Sequence, residues 1–208
     1  MSNATGSGPR AGCACEGLSG CVPAPSVAAR ADAAAVEAFR EEPVAADAAE
    51  VRAITTSTGA FAPAEVDVAV ELVEERLAKG PASGYFFLFA DAAPATGRAA
   101  GAVDGYACFG PIACTVSSYD LYWIAVRQDL RGSGLGTRLL AAAEARIRAM
   151  GGTRIYVETS SRPDYAATRG FYVARGYRVE GVFEDFYAPG DHKVVYVRVL
   201  GPGAAIRS

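Results

Sequence analysis

Arg131-Gly132-Ser133-Gly134-Leu135-Gly136-Thr137 is the stretch on which the reading of this sequence turns. Before it runs Tyr119-Asp120-Leu121-Tyr122-Trp123-Ile124-Ala125-Val126, aromatic and branched, which reads as a β-strand. After it, Leu135, Leu139, Leu140, Ala143, Ile147 and Met150 recur at helical spacing up to a stop at Gly151-Gly152. A strand ends, a glycine-rich loop turns, and a helix starts at once. Glycines let the backbone approach an anion closely and take positive φ. The free amides of the helix N-terminus, with the macrodipole behind them, favour phosphate. Arg131 adds a guanidinium able to grip phosphate bidentately, and Thr137 adds a hydroxyl donor.

Three other readings compete for the same loop. A Walker loop ends in Gly-Lys-Ser/Thr, and no lysine stands here. A dinucleotide fold wants Gly-x-Gly-x-x-Gly near the start of a βαβ unit, with an acid some twenty residues on. Gly132, Gly134 and Gly136 instead follow Gly-x-Gly-x-Gly. A plain glycine-rich turn that binds nothing also fits a glycine triplet taken alone.

Working outward, Glu50–Thr55 alternates weakly and ends in a β-branched run, which predicts a first strand. Pro63 and Glu65 suit a helix start, and Val66, Val70, Val73 and Leu77 repeat at helical spacing up to Gly80-Pro81. Tyr85–Ala90 and Ala100–Phe109 read as a hairpin. Arg154–Thr159 reads as a strand and Asp164–Arg175 as a helix ending at Gly176. Tyr177–Phe183 and Lys193–Leu200 read as closing strands joined through Pro189-Gly190-Asp191. This order predicts an α/β domain, with a mixed, mostly antiparallel sheet of about six to seven strands flanked by helices.

Residues 1–24 are rich in Gly, Ser, Pro and Ala and predict a flexible tail. Residues 25–48 form an Ala-rich extension able to be helical over 26–41, ahead of Pro43. The domain is placed at 49–200, with a short tail at 201–208. Hydrophobic residues make up 51% and charged residues 21% of the 208, an ordinary globular balance. A net charge of -3 gives no support to a nucleic-acid partner. No apolar run is long enough to cross a bilayer, and no secretory signal is seen. The five cysteines read as free thiols in a cytoplasmic protein. Cys13, Cys15 and Cys21 lack a nearby fourth ligand for zinc, His192 being far away in sequence, so no metal is expected.

Arg-Gly-Ser-Gly-Leu-Gly resembles the Arg/Gln-x-x-Gly-x-Gly/Ala signature of the GNAT N-acetyltransferases. Thr168-Arg169-Gly170-Phe171-Tyr172-Val173-Ala174-Arg175-Gly176-Tyr177 is similar to the later helix of that family, which ends in Phe-Tyr-x-x-x-Gly-Phe/Tyr. The resemblance covers about Glu50 to Leu200 and comes nearest to the ribosomal-protein N-terminal acetyltransferase branch. It implies the acyl-CoA N-acyltransferase fold and an enzyme moving an acetyl group from acetyl-CoA to a primary amine. By this resemblance Arg131, Gly132, Ser133, Gly134, Leu135, Gly136 and Thr137 hold the CoA pyrophosphate. Ile124, Ala125 and Val126 pair with the pantetheine arm and supply the oxyanion amide.

The resemblance also implies Tyr172 as the acid protonating the leaving thiolate, and Glu158 as the base. Asp120 and Asp185 are rivals to Glu158, which could instead be a structural acid paired with Arg162. Thr168 stands where the family often has an asparagine contacting the CoA arm. Phe61, Tyr119, Tyr122, Tyr165, Phe186 and Tyr187 are candidates to line an acceptor pocket, and Asp185 and Asp191 would attract a cationic amine. The implied partner is a small-molecule amine or a peptide N-terminus, with no nucleic acid and no membrane. A homodimer is open. A non-catalytic acyl-CoA sensor, or a transferase using another acyl-CoA, remains the alternative.

Overall fold

The computed structural model describes residues 39–93, 97–99 and 101–201. The expected tail at 1–24 and most of the extension at 25–48 lie outside these residues, as does nearly all of the stretch 201–208. The elements are α1 (Asp47–Ser57), α2 (Pro63–Lys79), β1 (Phe86–Asp91), β2 (Val103–Pro111), β3 (Ser118–Val126) and α3 (Leu135–Ala149). After these come β4 (Arg154–Ser160), α4 (Ala166–Val173), β5 (Arg178–Ala188) and β6 (Asp191–Val199). The strands form one six-stranded sheet in the order β1-β2-β3-β4-β6-β5. Neighbours pair antiparallel except β3 and β4, which are joined by the α3 crossover and run parallel. The mixed, mostly antiparallel architecture is the expected one.

Side chains alternate across the strands, so the two faces build two cores. Phe87, Phe89, Tyr106, Cys108 and Ala125 point toward α1 and α2, where they meet Val51, Ile54, Val70 and Val73. Leu88, Ala107, Phe109, Leu121, Val157 and Tyr196 point the other way, against Leu139, Leu140 and Ile147 of α3 and Tyr172 of α4. Each such large apolar side chain taken from water contributes on the order of 1.5–3 kcal/mol. The α1–α2 layer packs on the β1–β3 half of the sheet. On the same face, β4, β6 and β5 carry Tyr156, Glu158, Lys193, Val195, Gly181 and Phe183 around an open depression.

Two expectations are corrected. Glu50–Thr55 is not a strand but the body of α1. Val51, Ile54 and Thr55 are buried, a helical spacing, against α2 and β2. The hydroxyls that disfavour a helix are used within it: Thr55 Oγ1 donates to the Val51 carbonyl at 2.8 Å and Ser57 Oγ to Ile54 at 2.7 Å. Packing has overridden local propensity. The extended segment lies earlier instead, where Arg40 exchanges both backbone hydrogen bonds with Phe89 of β1. The Arg40 guanidinium also binds Asp47, fully buried, and Asp91.

The second correction concerns α2. Val66, Val70 and Val73 are buried as expected, but Leu77 is 41% exposed and Arg76 is buried in its place. Its guanidinium donates to the Tyr85 carbonyl at 2.9 Å and to Glu42. No helix among the described residues is long and apolar enough to cross a membrane.

Candidate active site

The loop between β3 and α3 brings positive-φ glycines to the N-terminus of a helix. A 3-10 turn at Gln128–Leu130 leads into Arg131, and Gly132 and Gly134 both sit at φ 82, where a side chain would be strained. Gly134 is the N-cap of α3, so no side chain of its own closes the helix end. Only a long contact at 3.4 Å joins the Leu135 amide to Ser133 Oγ. Gly136 differs from the other two glycines in backbone conformation. Its φ is not positive, and a Cβ there would meet Phe171 at 3.6 Å and Val126 at 3.7 Å, ordinary packing distances. The approach of α3 to Phe171 on α4 therefore does not require a glycine here.

A cleft opens beside this loop because β3 and β4 part. Their ladder holds only from Ser118↔Arg154 to Asp120↔Tyr156. Beyond that, β3 follows β2 and β4 follows β6. A bulge where Leu121 and Trp123 pair with Phe109 and Cys108 swings Tyr122 out and turns the strand. The edge of Ile124, Ala125 and Val126 that faces β4 therefore has no strand partner. Its backbone groups can hydrogen-bond an extended ligand.

Tyr172 lies on α4, 3% exposed, with its ring centroid 5.3 Å from those of Phe171 and Tyr177 and 6.1 Å from that of Tyr196. Burial holds its hydroxyl well above the usual phenol range, so it is protonated at neutral pH. Thr168, one helical turn earlier, is half-buried.

Asp120 and Glu158 lie on the open sheet face, near the point where β3 and β4 part. Burial first, and the nearby Glu158 charge second, push the Asp120 carboxyl up to about 6, with Lys193 acting against both. Glu158 does not pair with Arg162. Its partner is Lys193, at 2.8 Å, a diagonal neighbour across the β4–β6 ladder where Glu158 faces Val195. Arg162 lies 3.7 Å from Asp191 and over the ring of Tyr165 instead.

Aromatic side chains wall the open face. Phe61 meets Trp123 edge-on at 4.8 Å and Tyr165 at 6.3 Å. The Tyr165 hydroxyl lies 3.3 Å from Glu65, whose other oxygen caps α2 by accepting from the Ala62 amide. Phe186 packs edge-on with Phe183 and Tyr187, and the Lys193 ammonium sits 4.3 Å from the Phe186 ring centroid. Tyr122 is 38% exposed, with its hydroxyl pushed up to about 12 by burial and then by Asp120. Tyr119 does not belong with them. It is buried in the α3 core and its hydroxyl donates to the Met150 carbonyl.

Two acids near the β5–β6 turn make structural hydrogen bonds. Asp185, at φ 52, accepts from the Gly190 amide and donates its own N–H to His192 Nδ1. Asp191 accepts from Ser160 and the Ser161 amide. The sequence reading missed Lys193, Glu65 and Trp123, which reach this face through register and long-range packing.

The model of the acetyltransferase (GNAT) family matches residues 55–177. No curated protein matches the chain significantly. Among solved structures, a protein assigned to the GNAT family from Desulfovibrio desulfuricans is 43% identical, with a TM-score of 0.74 over 79% of this chain and 99% of its own. The ribosomal-protein-S18-alanine N-acetyltransferase of Escherichia coli is 16% identical, with a TM-score of 0.58 over 80% and 96%. The aminoglycoside 6'-N-acetyltransferase of Enterococcus faecium is also 16% identical, with a TM-score of 0.59 over 80% and 98%. These last two show the shared fold alone.

Proposed function

The chain belongs to the GNAT family of acetyltransferases and is an N-acetyltransferase, and from that premise we propose that it moves an acetyl group from acetyl-CoA directly to the primary amine of a small molecule or a peptide N-terminus. The observation that carries this is the parting of β3 and β4 beside an anion-ready loop, with a phenol and two carboxylates nearby. Arg131 and the amides of Gly132–Gly136 receive the diphosphate. The free edge of Ile124–Val126 pairs with the pantetheine amides, and one of its N–H groups stabilises the oxyanion formed as nitrogen attacks the thioester carbon. Thr168 offers the arm a hydroxyl.

As the carbon–sulfur bond breaks, the Tyr172 hydroxyl gives its proton to the thiolate. The proton lost by the amine goes to the Glu158–Asp120 pair, directly or through one water. The two carboxylates act as a unit, with Glu158 paired to Lys193 at 2.8 Å and the half-buried Asp120 pushed up to about 6. Aromatic walls and a surplus of carboxylates (Glu65, Asp120 and Glu158) favour an amine that arrives as a cation. The free thiols Cys108 and Cys114 suit a reducing, cytoplasmic setting and have no part in a direct transfer.

Release of free CoA, followed across a panel of small amines and peptides, tests the proposal. At least one primary amine is expected to give acetyl-CoA-dependent release that Tyr172→Phe suppresses. Binding of acetyl-CoA without turnover on any amine would make the chain a sensor.

A further inference from the structure

We propose that Arg175 is a second guanidinium ligand of the CoA diphosphate, acting with Arg131 from the opposite side of the loop. The proposal rests on the acyl-CoA reading above and adds a residue to it. Arg175 follows the end of α4, some forty positions from the loop, and reaches it through three fixed contacts. Its guanidinium carbon stacks 3.7 Å from the Phe171 ring centroid. Nη1 donates to the Phe171 carbonyl at 2.9 Å, and Nη2 donates to Thr137 Oγ1 in the first turn of α3. The same Phe171 ring lies against Gly136. Guanidinium, ring and phosphate loop are thus one packed unit.

Three features aim this unit at an anion. Thr137 Oγ1 accepts from Arg175, so its own proton is left to donate toward the loop. Arg175 Nε is buried without a partner, so the group already bears a desolvation cost that a bound anion would offset. Among the described residues, no carboxylate pairs with Arg175, Arg131 or Arg138, whereas Arg127 and Arg198 each have one and Arg98 has two. Unpaired guanidinium charge therefore gathers around the helix N-terminus that a doubly charged diester would approach. A guanidinium held by stacking loses little freedom on binding, which suits it to grip phosphate better than a loose lysine.

Titration of CoA and of 3′-dephospho-CoA into the wild type, Arg175→Gln and Arg175→Lys separates the outcomes. Glutamine keeps a polar stem over Phe171 without charge, and lysine restores the charge. Arg175→Gln is expected to weaken both ligands alike, by about tenfold, the scale of one lost charged hydrogen bond, while Arg175→Lys, which keeps the charge but not the stacked fork, recovers part of the affinity. Wild-type affinity in the glutamine variant would overturn the proposal. So would a loss confined to CoA, which would put Arg175 on the 3′-phosphate, or a lysine variant as weak as the glutamine one, which would make the role structural. Failure of the wild type to bind either ligand would sink the acyl-CoA reading itself.

Discussion

In the proposed reaction the Tyr172 phenol must hold its proton until the carbon–sulfur bond breaks, and its burial favours the protonated form. The same burial makes the phenol a weaker acid. A thiolate formed beside the same buried group pays a desolvation penalty as well, which offsets that. Tyr172→Phe is expected to lower kcat by about a hundredfold, the usual worth of a positioned acid, while the acetyl-CoA Kd stays nearly unchanged. Equal kcat would remove Tyr172 from the reaction. The base makes a pH statement. Burial raises Asp120 above its ordinary value to about 6. A base works deprotonated, so kcat/KM is expected to rise with pH through about 6 and level off above. Lys193 lowers this carboxyl, so Lys193→Met should move the rising limb to higher pH, and Asp120→Asn should abolish it. A limb unmoved by either change would exclude Asp120.

At the scale of elements, the loop and its two neighbours were legible because their signals are local. Branched and aromatic residues make β3, helical spacing makes α3, and glycines stand where φ is positive. Gly134→Ala forces a side chain into φ 82 and should cost on the order of 1 kcal/mol of stability along with CoA affinity. Gly136→Ala meets only ordinary contacts and should melt close to the wild type; a larger loss there than at Gly134 would reverse this account of the loop. Element α1 was not legible. Its β-branched Ile54-Thr55-Thr56 reads as strand, and only the burial of Val51, Ile54 and Thr55 on α2 and β2 makes it a helix. That contact joins residues distant in sequence, which a local pattern does not contain.

The whole molecule explains why the site was half readable. The anion end lies within one β-loop-α unit, and its residues are contiguous. The proposed acceptor end draws on Phe61, Trp123, Glu158, Tyr165 and Lys193, which come from separate elements. The Glu158–Lys193 pair exists only through the β4–β6 register, so Arg162, nearer in sequence, looked the better partner. The α3 core holds the two ends together, and Leu139, fully buried within it, is the point where it is most directly probed. Leu139→Ala should cost about 2–5 kcal/mol in chemical unfolding; a loss under about 1 kcal/mol would mean that the core is not packed as described.

The central claim is that the loop and the β3–β4 cleft receive acetyl-CoA, and calorimetric titration of acetyl-CoA into the wild type and Arg131→Ala tests it most directly, with NADH as the comparison. The account predicts one acetyl-CoA bound per chain, weaker binding in Arg131→Ala, and no heat from NADH. Absence of acetyl-CoA binding, or equal binding of NADH, would contradict it.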